Sequence, residues 1–280
     1  MGRAEKARLP QEGNRMGVLE TKALTRRFGE NRAVDALTIS VEAGEIFGLL
    51  GPNGAGKTTT IKMLTTLLPP TSGNAYMAGF DIAHHAQDVR RVIGYVPQMV
   101  SADGSLSGYE NLLIFAKLFD VPGSKRESRI RDALNLMGLT DAAEKLVRQY
   151  SGGMIRRLEI AQSMLHRPRV LFLDEPTIGL DPVARRAVWD HIERLRRDYG
   201  TTMFLTTHFM EEADTLCDRV AIMHFGRVAV IGTPAHLKAS LGGKGATLDD
   251  VFAHYAGGAL ECGGGYLETS RTRHTARRLG

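Results

Sequence analysis

The chain has 280 residues, of which 43% are apolar and 24% charged, which is ordinary for a soluble globular protein of one or two domains. No apolar run reaches the ~18–20 residues that span a bilayer, and the basic N-terminus lacks the apolar segment of a secretory signal. Cys217 and Cys262 match no metal-binding spacing, which favours a reducing compartment. We therefore expect a cytosolic protein with no transmembrane segment of its own.

The net charge of +5 lies at the two ends of the chain. Residues 1–15 carry a net +2 and residues 262–280 a net +3, so residues 16–261 are neutral. The net charge therefore does not indicate a folded nucleic-acid-binding face, and no nucleic-acid partner is expected. Residues 1–15 are expected to form a disordered leader and residues 256–280 a disordered basic tail.

Strands and helices alternate between these ends. Alternating apolar residues predict strands within 18–41, and a short apolar strand at 45–50 runs into a glycine-rich loop. A helix is expected over 58–68, stopped by Pro69-Pro70 and a turn at 71–73. A strand over 92–96 and a mostly helical block over 107–165 follow.

Beyond the helical block the strands return. The pattern predicts strands at 170–173 and 203–206, a hairpin of 220–223 with 228–231, and helices at 181–199, 211–217, 234–240 and 248–255. Strands that alternate with helices predict a parallel α/β sheet, with the helical block inserted as a subdomain.

The glycine-rich loop carries the first chemical signal. Residues 51–58, GPNGAGKT, match the phosphate-binding pattern GxxxxGK[ST] between a buried strand and a helix. Glycines let the backbone wrap a polyphosphate, and the helix N-terminus adds positive partial charge. We expect Lys57 to pair with the β- and γ-phosphates and the Thr58 hydroxyl to ligate Mg²⁺. The loop by itself predicts nucleotide binding but not which reaction follows.

Two carboxylates follow the buried strand at 170–173. Ligands of open α/β sheets bind at the carboxyl ends of strands, so Asp174 is placed to ligate Mg²⁺ directly or through water. Glu175 is placed to polarise an attacking water. Alone, the pair would be a turn cap and a solvated side chain, but its occurrence with the phosphate loop favours catalysis.

A third motif, YSGGM at 150–154, precedes a helix. Ser151 is a suitable N-cap, and the two glycines leave backbone N–H groups open to a second anion. In chain order the sequence has GPNGAGKTT, YVPQ, YSGGM, VLFLDEP, GLDP and a histidine after an apolar strand. Over residues 18–231 it resembles the nucleotide-binding subunit of an ATP-binding cassette (ABC) transporter.

The resemblance implies an ATP site shared between two subunits, with ATP and Mg²⁺ as ligands. One subunit would hold ATP with its phosphate loop: Gly51, Pro52, Asn53, Gly54, Ala55, Gly56, Lys57, Thr58 and Thr59. The other subunit would contact the γ-phosphate with Ser151, Gly152 and Gly153.

Five further positions match residues with roles in the family. Phe28 would stack on adenine, although a core phenylalanine is an open alternative. Gln98 would reach Mg²⁺ and the attacking water and flex against the membrane partner. Glu175 would be the catalytic glutamate, Asp181 would cross the dimer or cap a helix, and His208 would contact the γ-phosphate.

Two positions depart from the usual family pattern. Tyr150 replaces a leucine, and Met154 replaces a glutamine whose hydrogen bonds a methionine cannot make. This YSGGM form and the ending ATLDDVF at 246–252 resemble the drug- and antibiotic-resistance branch of exporter ATPases, similar to daunorubicin-resistance ATP-binding proteins.

The resemblance also implies the fold and the partners. We expect an α/β P-loop NTPase over 16–255, an ABC-type ATPase core with a helical subdomain at about 99–166 and an N-terminal antiparallel β subdomain. It would form a homodimer on the cytoplasmic face of the membrane, bound to a separate permease that it powers to export a small hydrophobic compound or drug. The helical block and the stretch after Gln98 are the expected docking surface.

Other functions stay open at this point. A soluble ABC ATPase acting on ribosomes usually carries two phosphate loops in one chain, and this sequence has one. One acting on chromosomes inserts a long coiled coil between phosphate loop and signature, whereas 90 residues separate Thr59 from Tyr150 here. An importer ATPase would share all the core motifs. A G protein is excluded because no NKxD motif occurs.

Overall fold

The computed structural model describes residues 17–242 and 245–257. The expected disordered leader at 1–15 and residues 258–280 of the tail expected over 256–280 lie outside the described residues. The helix Leu248–Gly257 contains residues 256 and 257, so it extends two residues past the predicted domain end at 255.

A six-stranded sheet forms the centre of the described chain. Its strands are β4 (Ile46–Leu50), β7 (Ile93–Val96), β8 (Val170–Asp174), β9 (Thr202–Thr207), β10 (Arg219–His224) and β11 (Arg227–Gly232). The strand order is β11-β10-β4-β9-β8-β7, and all neighbours are parallel except for the β10–β11 hairpin. Strands β4, β8 and β9 are buried at every residue, as expected for a parallel sheet covered on both faces. The predicted parallel α/β sheet is confirmed.

Helices flank the central sheet and connect its strands. They are α1 (Lys57–Leu64), α2 (Ala86–Val92), α6 (Pro182–Tyr199), α7 (Met210–Leu216), α8 (Pro234–Ser240) and α9 (Leu248–Gly257). Helix α1 ends four residues before its predicted end at 68. Thr66 adopts a φ of 62°, a left-handed conformation that ends the helix ahead of the two prolines.

The N-terminal antiparallel sheet that the family resemblance implied is present. It consists of β1 (Leu19–Phe28), β2 (Asn31–Leu37), β3 (Ser40–Val41), β5 (Ser72–Met77) and β6 (Phe80–Asp81), with β1 pairing β2, β3 and β5. The turn expected at 71–73 is wrong in part, because Ser72 and Gly73 open strand β5. Ser72 pairs with Thr25 of β1, so a long-range strand partner overrides the local turn signal.

The helical block lies between β7 and β8, as predicted. It contains α3 (Gly108–Leu118), α4 (Gly123–Leu136) and α5 (Gly152–Met164), with two short 3₁₀ turns between α4 and α5. A capping box starts α3: the Ser107 hydroxyl accepts from the Glu110 N–H, and the Glu110 carboxylate accepts from the Ser107 N–H.

Each face of the central sheet packs against its own hydrophobic core. On one face Phe47, Phe172 and Phe204 pack together, with ring centroids 5.5–5.6 Å apart, and meet the antiparallel sheet and α1. On the other face Leu171 and Leu205 belong to a core shared with the helical block and the C-terminal helices. Because successive side chains along a strand point to opposite faces, the same strands contribute to both cores. The central sheet therefore packs against every subdomain.

Tyr150, one of the two departures from the family pattern, is a core residue of the helical block. Its hydroxyl donates to the Ala142 carbonyl at 2.6 Å, and a Cβ on Gly108 would lie 2.2 Å from that hydroxyl oxygen. The tyrosine therefore needs glycine at the start of α3.

We predict that Gly108→Ala destabilises the protein by about 1–3 kcal/mol, although alanine is the better helix former. Tyr150→Phe should recover part of this loss in the double variant, because it removes the closest clashing atom. Chemical denaturation of both single variants and the double variant measures the coupling. Gly104→Ala is the control, since its nearest neighbour would be 3.6 Å away. Equal losses at both glycines would contradict the packing argument.

Candidate functional site

The phosphate loop lies between β4 and α1, at the carboxyl edge of the central sheet. Gly56 is the helix N-cap with a φ of 108°, which is strained for any other residue. A Cβ there would also lie 2.3 Å from the Ala33 carbonyl oxygen. The first N–H groups of α1 have no acceptor within the helix and are available to an anion. The strand, loop and helix predicted from the sequence are confirmed.

Lys57 is buried at the centre of this loop. Its Nζ donates to the Gly51 carbonyl at 2.8 Å and to the Pro52 carbonyl at 3.2 Å. It also lies 3.2 Å from Glu175 Oε1, in an ion pair whose side chains are only 4% and 6% exposed. The cation is thus held over the loop in contact with the residue expected to polarise water.

Asp174 joins the loop to strand β9. Its Oδ1 accepts from the Thr58 hydroxyl at 3.3 Å and from the Thr206 hydroxyl at 2.5 Å. Burial raises the pKa of this carboxyl, and the two hydroxyl hydrogen bonds oppose that shift only in part. The same buried surroundings, together with the Asp174 charge, raise the pKa of Tyr95 to about 12.

Glu175 has a φ of 49°, the left-handed region that is uncommon for residues other than glycine. Its N–H donates to the Thr206 backbone oxygen and lies 3.1 Å from the Thr206 hydroxyl oxygen. Its Oε2 lies 2.8 Å from His208 Nδ1, and its Oε1 contacts Lys57. The carboxylate is therefore oriented from two sides by residues that follow two other strands.

A cavity of about 440 Å³ opens beside the phosphate loop. Predicted residues that line it are Asn53, Gly54, Gly56, Lys57, Thr58, Thr59, Gln98 and Glu175. Asp174 and His208 do not line it but contact residues that do. This volume is within the range of small-molecule sites, and the lining residues include two cations, Arg32 and Lys57, and one carboxylate, Glu175.

Other predicted residues lie outside this cavity. Ser151 is exposed at the N-terminus of α5, where its hydroxyl accepts from the Met154 N–H at 3.3 Å. Asp181 caps α6 by accepting from the Ala184 N–H at 2.8 Å, which confirms the N-cap alternative. Neither these two residues nor Gly152 and Gly153 line the cavity of their own chain.

The alternative that Phe28 is a core residue of a strand is wrong. It ends β1 with its ring half exposed, under the Arg26 guanidinium at 4.7 Å from the ring centroid. It does not line the cavity, whereas the exposed ring of Phe225 does.

Sequence reasoning missed several residues of the site. Thr206 donates its hydroxyl to Asp174 and accepts from the Glu175 N–H. The sequence feature that could have indicated this residue is an apolar strand that ends in two threonines. Residues of the β1–β2 and β10–β11 regions line the cavity without any local motif: Asn31, Arg32, Ala33, Phe225 and Gly226.

Comparison with known proteins identifies the family. The sequence model of the family described as ABC transporter matches residues 34–178. This chain belongs to the ABC transporter family. It is an ATPase of that family, and its phosphate loop, Asp174 and Glu175 lie within the match.

The curated relatives are named as ATP-binding proteins. The daunorubicin/doxorubicin resistance ATP-binding protein DrrA of Streptomyces peucetius is 47% identical over 224 residues, 80% of this chain and 68% of that protein. The Nod factor export ATP-binding protein I of Ralstonia nicotianae is 43% identical, over 79% of this chain and 68% of that protein. The drug-exporter branch predicted from YSGGM is confirmed at the level of sequence similarity.

Solved structures agree with the fold. An ATP-binding subunit of an ABC transporter superposes with a TM-score of 0.75 at 29% identity, covering 85% of this chain and 99% of that one. None of the helices within residues 17–242 and 245–257 is long and apolar enough to cross a bilayer.

We predict that Asp174→Asn abolishes Mg²⁺-dependent hydrolysis and leaves the nucleotide-free protein as stable as wild type or more stable by about 1 kcal/mol. Since the folded-state pKa of Asp174 is raised, its ionised form costs the native state stability at neutral pH. The advantage of the variant should therefore be largest near pH 7 and shrink as the pH falls through that raised pKa.

Denaturant titrations at several pH values, without nucleotide or Mg²⁺, measure this difference. Asp190→Asn is the matched control, because Asp190 is exposed on α6 and 3.7 Å from Arg186. An asparagine variant that is clearly less stable than wild type at pH 7 would contradict the assigned burial cost.

Proposed function

We propose that this chain is the ATP-hydrolysing subunit of an exporter for small hydrophobic compounds or drugs, and that it works as a head-to-tail homodimer on a separate permease. The observation that supports it best is the convergence of Lys57, Glu175 and His208 beside a cavity that the signature residues of the same chain do not reach. That separation favours a site completed by a second copy.

In this proposal Glu175 polarises the attacking water. His208 fixes the orientation of the carboxylate through Nδ1, and Lys57 exchanges Glu175 for the β- and γ-phosphates when ATP binds. Phe28 stacks on adenine from the end of β1, with its exposed ring as the supporting observation. Residues 51–59 provide the backbone donors around the phosphates.

The donors beside the loop fit Mg²⁺. The Thr58 hydroxyl and the Asp174 carboxylate are 3.3 Å apart, and Gln98 is one of the residues that line the cavity. Mg²⁺ is usually held by one or two carboxylates together with waters and substrate phosphates. In agreement, no group of three or more His, Cys, Asp or Glu side chains suited to a metal occurs in the described part of the chain. When bound, the ion neutralises charge that develops on the phosphate oxygens.

A second copy would supply the missing contacts to the γ-phosphate. Ser151 and Gly152 are exposed at the N-terminus of a 13-residue helix, and Asp181 is exposed at the start of α6. Side-chain contact by Met154 with nucleotide is not expected, because its thioether packs against the core of the helical block. The backbone and hydroxyl donors at 151–153 remain sufficient for an anion.

The permease is proposed to dock on the helical block and the stretch after Gln98. Met99 and Val100 are 82% and 63% exposed, and Ile114 and Leu118 of α3 are exposed as well. Exposed large apolar residues next to a cavity residue are typical of a protein contact. Docking there would place the chain at the cytoplasmic face of the membrane without a span of its own.

The export assignment is tested by purification from its own cell. We expect the tagged chain to co-purify with a polytopic membrane protein, and export of its cargo to stop when Glu175 is replaced. Stoichiometric recovery with ribosomes or DNA would contradict the proposal and favour the soluble ABC ATPases. Cargo that accumulates in the cell only when the ATPase is active would indicate an importer.

We predict that Glu175→Gln lowers kcat for ATP by about 10²–10⁴-fold while ATP still binds, because the amide keeps a hydrogen-bond acceptor but cannot take a proton. The variant should form an ATP-dependent dimer in light scattering. Glu211→Gln is the control, since Glu211 is an exposed acidic residue on α7, near His208 in sequence. A Glu175→Gln enzyme with near-wild-type turnover would rule out the assigned role.

We predict that Lys57→Ala and Ser151→Ala subunits are each inactive alone and regain activity when mixed. A mixed dimer holds one intact site out of two, so an equal mixture should recover about a quarter of wild-type activity. Ser107→Ala controls for the loss of a helix cap, because Ser107 caps α3 as Ser151 caps α5. If the mixture gives only the sum of the two single variants, the site is not shared.

A further inference from the structure

A charged pair is buried in the signature helix α5, one turn beyond the glycines. Arg156 and Glu159 are three residues apart, with Arg156 Nη1 3.1 Å from Glu159 Oε2, and their side chains are 7% and 1% exposed. The pair contacts no residue of the phosphate loop in the hydrogen bonds that the described chain makes. Burying two charges is costly, so the pair needs a reason beyond stability.

Both members of the pair bind the loop that carries Gln98, residues 97–101, here called the Gln98 loop. Arg156 Nη1 donates to the Pro97 carbonyl at 2.7 Å, and Nη2 donates to the Gln98 carbonyl at 3.1 Å. Glu159 Oε1 accepts from the Ser101 N–H at 2.5 Å and from the Ser101 hydroxyl at 3.1 Å. The arginine therefore holds the start of the loop and the glutamate holds its end.

The two residues between these anchors project outwards. Met99 and Val100 are exposed, and Gln98 is one of the residues that line the ATP cavity, while its carbonyl accepts a hydrogen bond from Arg156. A loop of five residues that is hydrogen-bonded at both ends has few conformations left, so the Gln98 backbone keeps its position relative to α5.

Arginine is suited to this task in a way that lysine is not. Its planar guanidinium donates to two successive carbonyls and to a carboxylate at once, whereas an ammonium group is a compact point donor on a flexible stem. Glu159 links the arginine to the end of the loop, because one carboxylate oxygen accepts from Arg156 and the other accepts from Ser101.

We propose that Arg156 and Glu159 are positioning residues for ATP hydrolysis, which hold the Gln98 loop so that Gln98 stays aligned with the signature helix. This inference rests on the proposed role of Gln98 in the site. In this arrangement α5 positions two parts of the site. Its N-terminus carries the signature residues, and its buried pair holds the loop that contains Gln98. A force on Met99 or Val100 would then act on Gln98 and on α5 together.

The test is a double-mutant cycle on the steady-state ATPase of the full chain. We expect Arg156→Lys to lower kcat by about tenfold, with little change in KM for ATP, because the misplaced group acts on the chemical step. In the Gln98→Ala background the same substitution should lower kcat by less than about twofold, since its target is already absent. Glu159→Gln should behave like Arg156→Lys with a smaller effect, because its amide still accepts from Ser101.

Arg129→Lys is the matched control. Arg129 is half-buried, and its guanidinium donates to the Leu165 carbonyl at the far end of α5, at 2.8 Å. It should leave kcat within about twofold of wild type. Thermal melting of every variant checks folding, and Glu159→Gln keeps the test open if Arg156→Lys is unstable.

Two results would overturn the inference in distinguishable ways. If Gln98→Ala keeps full kcat, the assigned role of Gln98 is wrong, and so is the positioning role of Arg156 and Glu159 that depends on it. If Gln98→Ala lowers kcat but Arg156→Lys lowers it equally in both backgrounds, Gln98 acts in the site and the buried pair does not act through it.

Discussion

The buried contact between Lys57 and Glu175 is the constraint on which the site depends. A cation and a carboxylate that are almost excluded from water would destabilise the fold if either lost its partner. Each is also oriented by a second group, Lys57 by the loop carbonyls and Glu175 by His208. The pair therefore places the cation that we propose binds phosphate 3.2 Å from the carboxylate that we propose polarises water.

The central sheet brings these groups together. Strand β9 lies between β4 and β8, so the residues that follow the three strands meet at one edge: Lys57 after β4, Glu175 after β8 and His208 after β9. The pairing of Asp174 with Thr206 sets the register and places the threonine hydroxyl on the carboxylate. Burial of both faces by separate hydrophobic cores keeps the three strand ends in place, which is why residues far apart in sequence form one rigid constellation.

Much of the fold and of the site could be predicted because the residues that indicate them are close together in the sequence. The phosphate loop, the apolar strand before Asp174 and the cap of α6 each combine a motif with its structural context within about ten residues. What the sequence did not reveal depends on contacts between distant segments. Strand β5 starts at Ser72 because β1 pairs with it, and Phe225 lines the cavity because a hairpin turn packs on the loop. Arg156 and Glu159 have a spacing typical of a solvated helix pair, but they are buried and hydrogen-bonded to the Gln98 loop, which is distant in sequence.

The central claim is that Lys57 changes partner from Glu175 to phosphate when a composite site forms. A crystal structure of the wild-type chain with Mg²⁺ and a non-hydrolysable ATP analogue tests it most directly. We predict Lys57 Nζ within hydrogen-bond distance of the β- and γ-phosphates, Glu175 and His208 beside the γ-phosphate, and Ser151 of a second copy on its other side. A structure in which the Lys57–Glu175 pair persists and the nucleotide contacts one chain only would contradict the account.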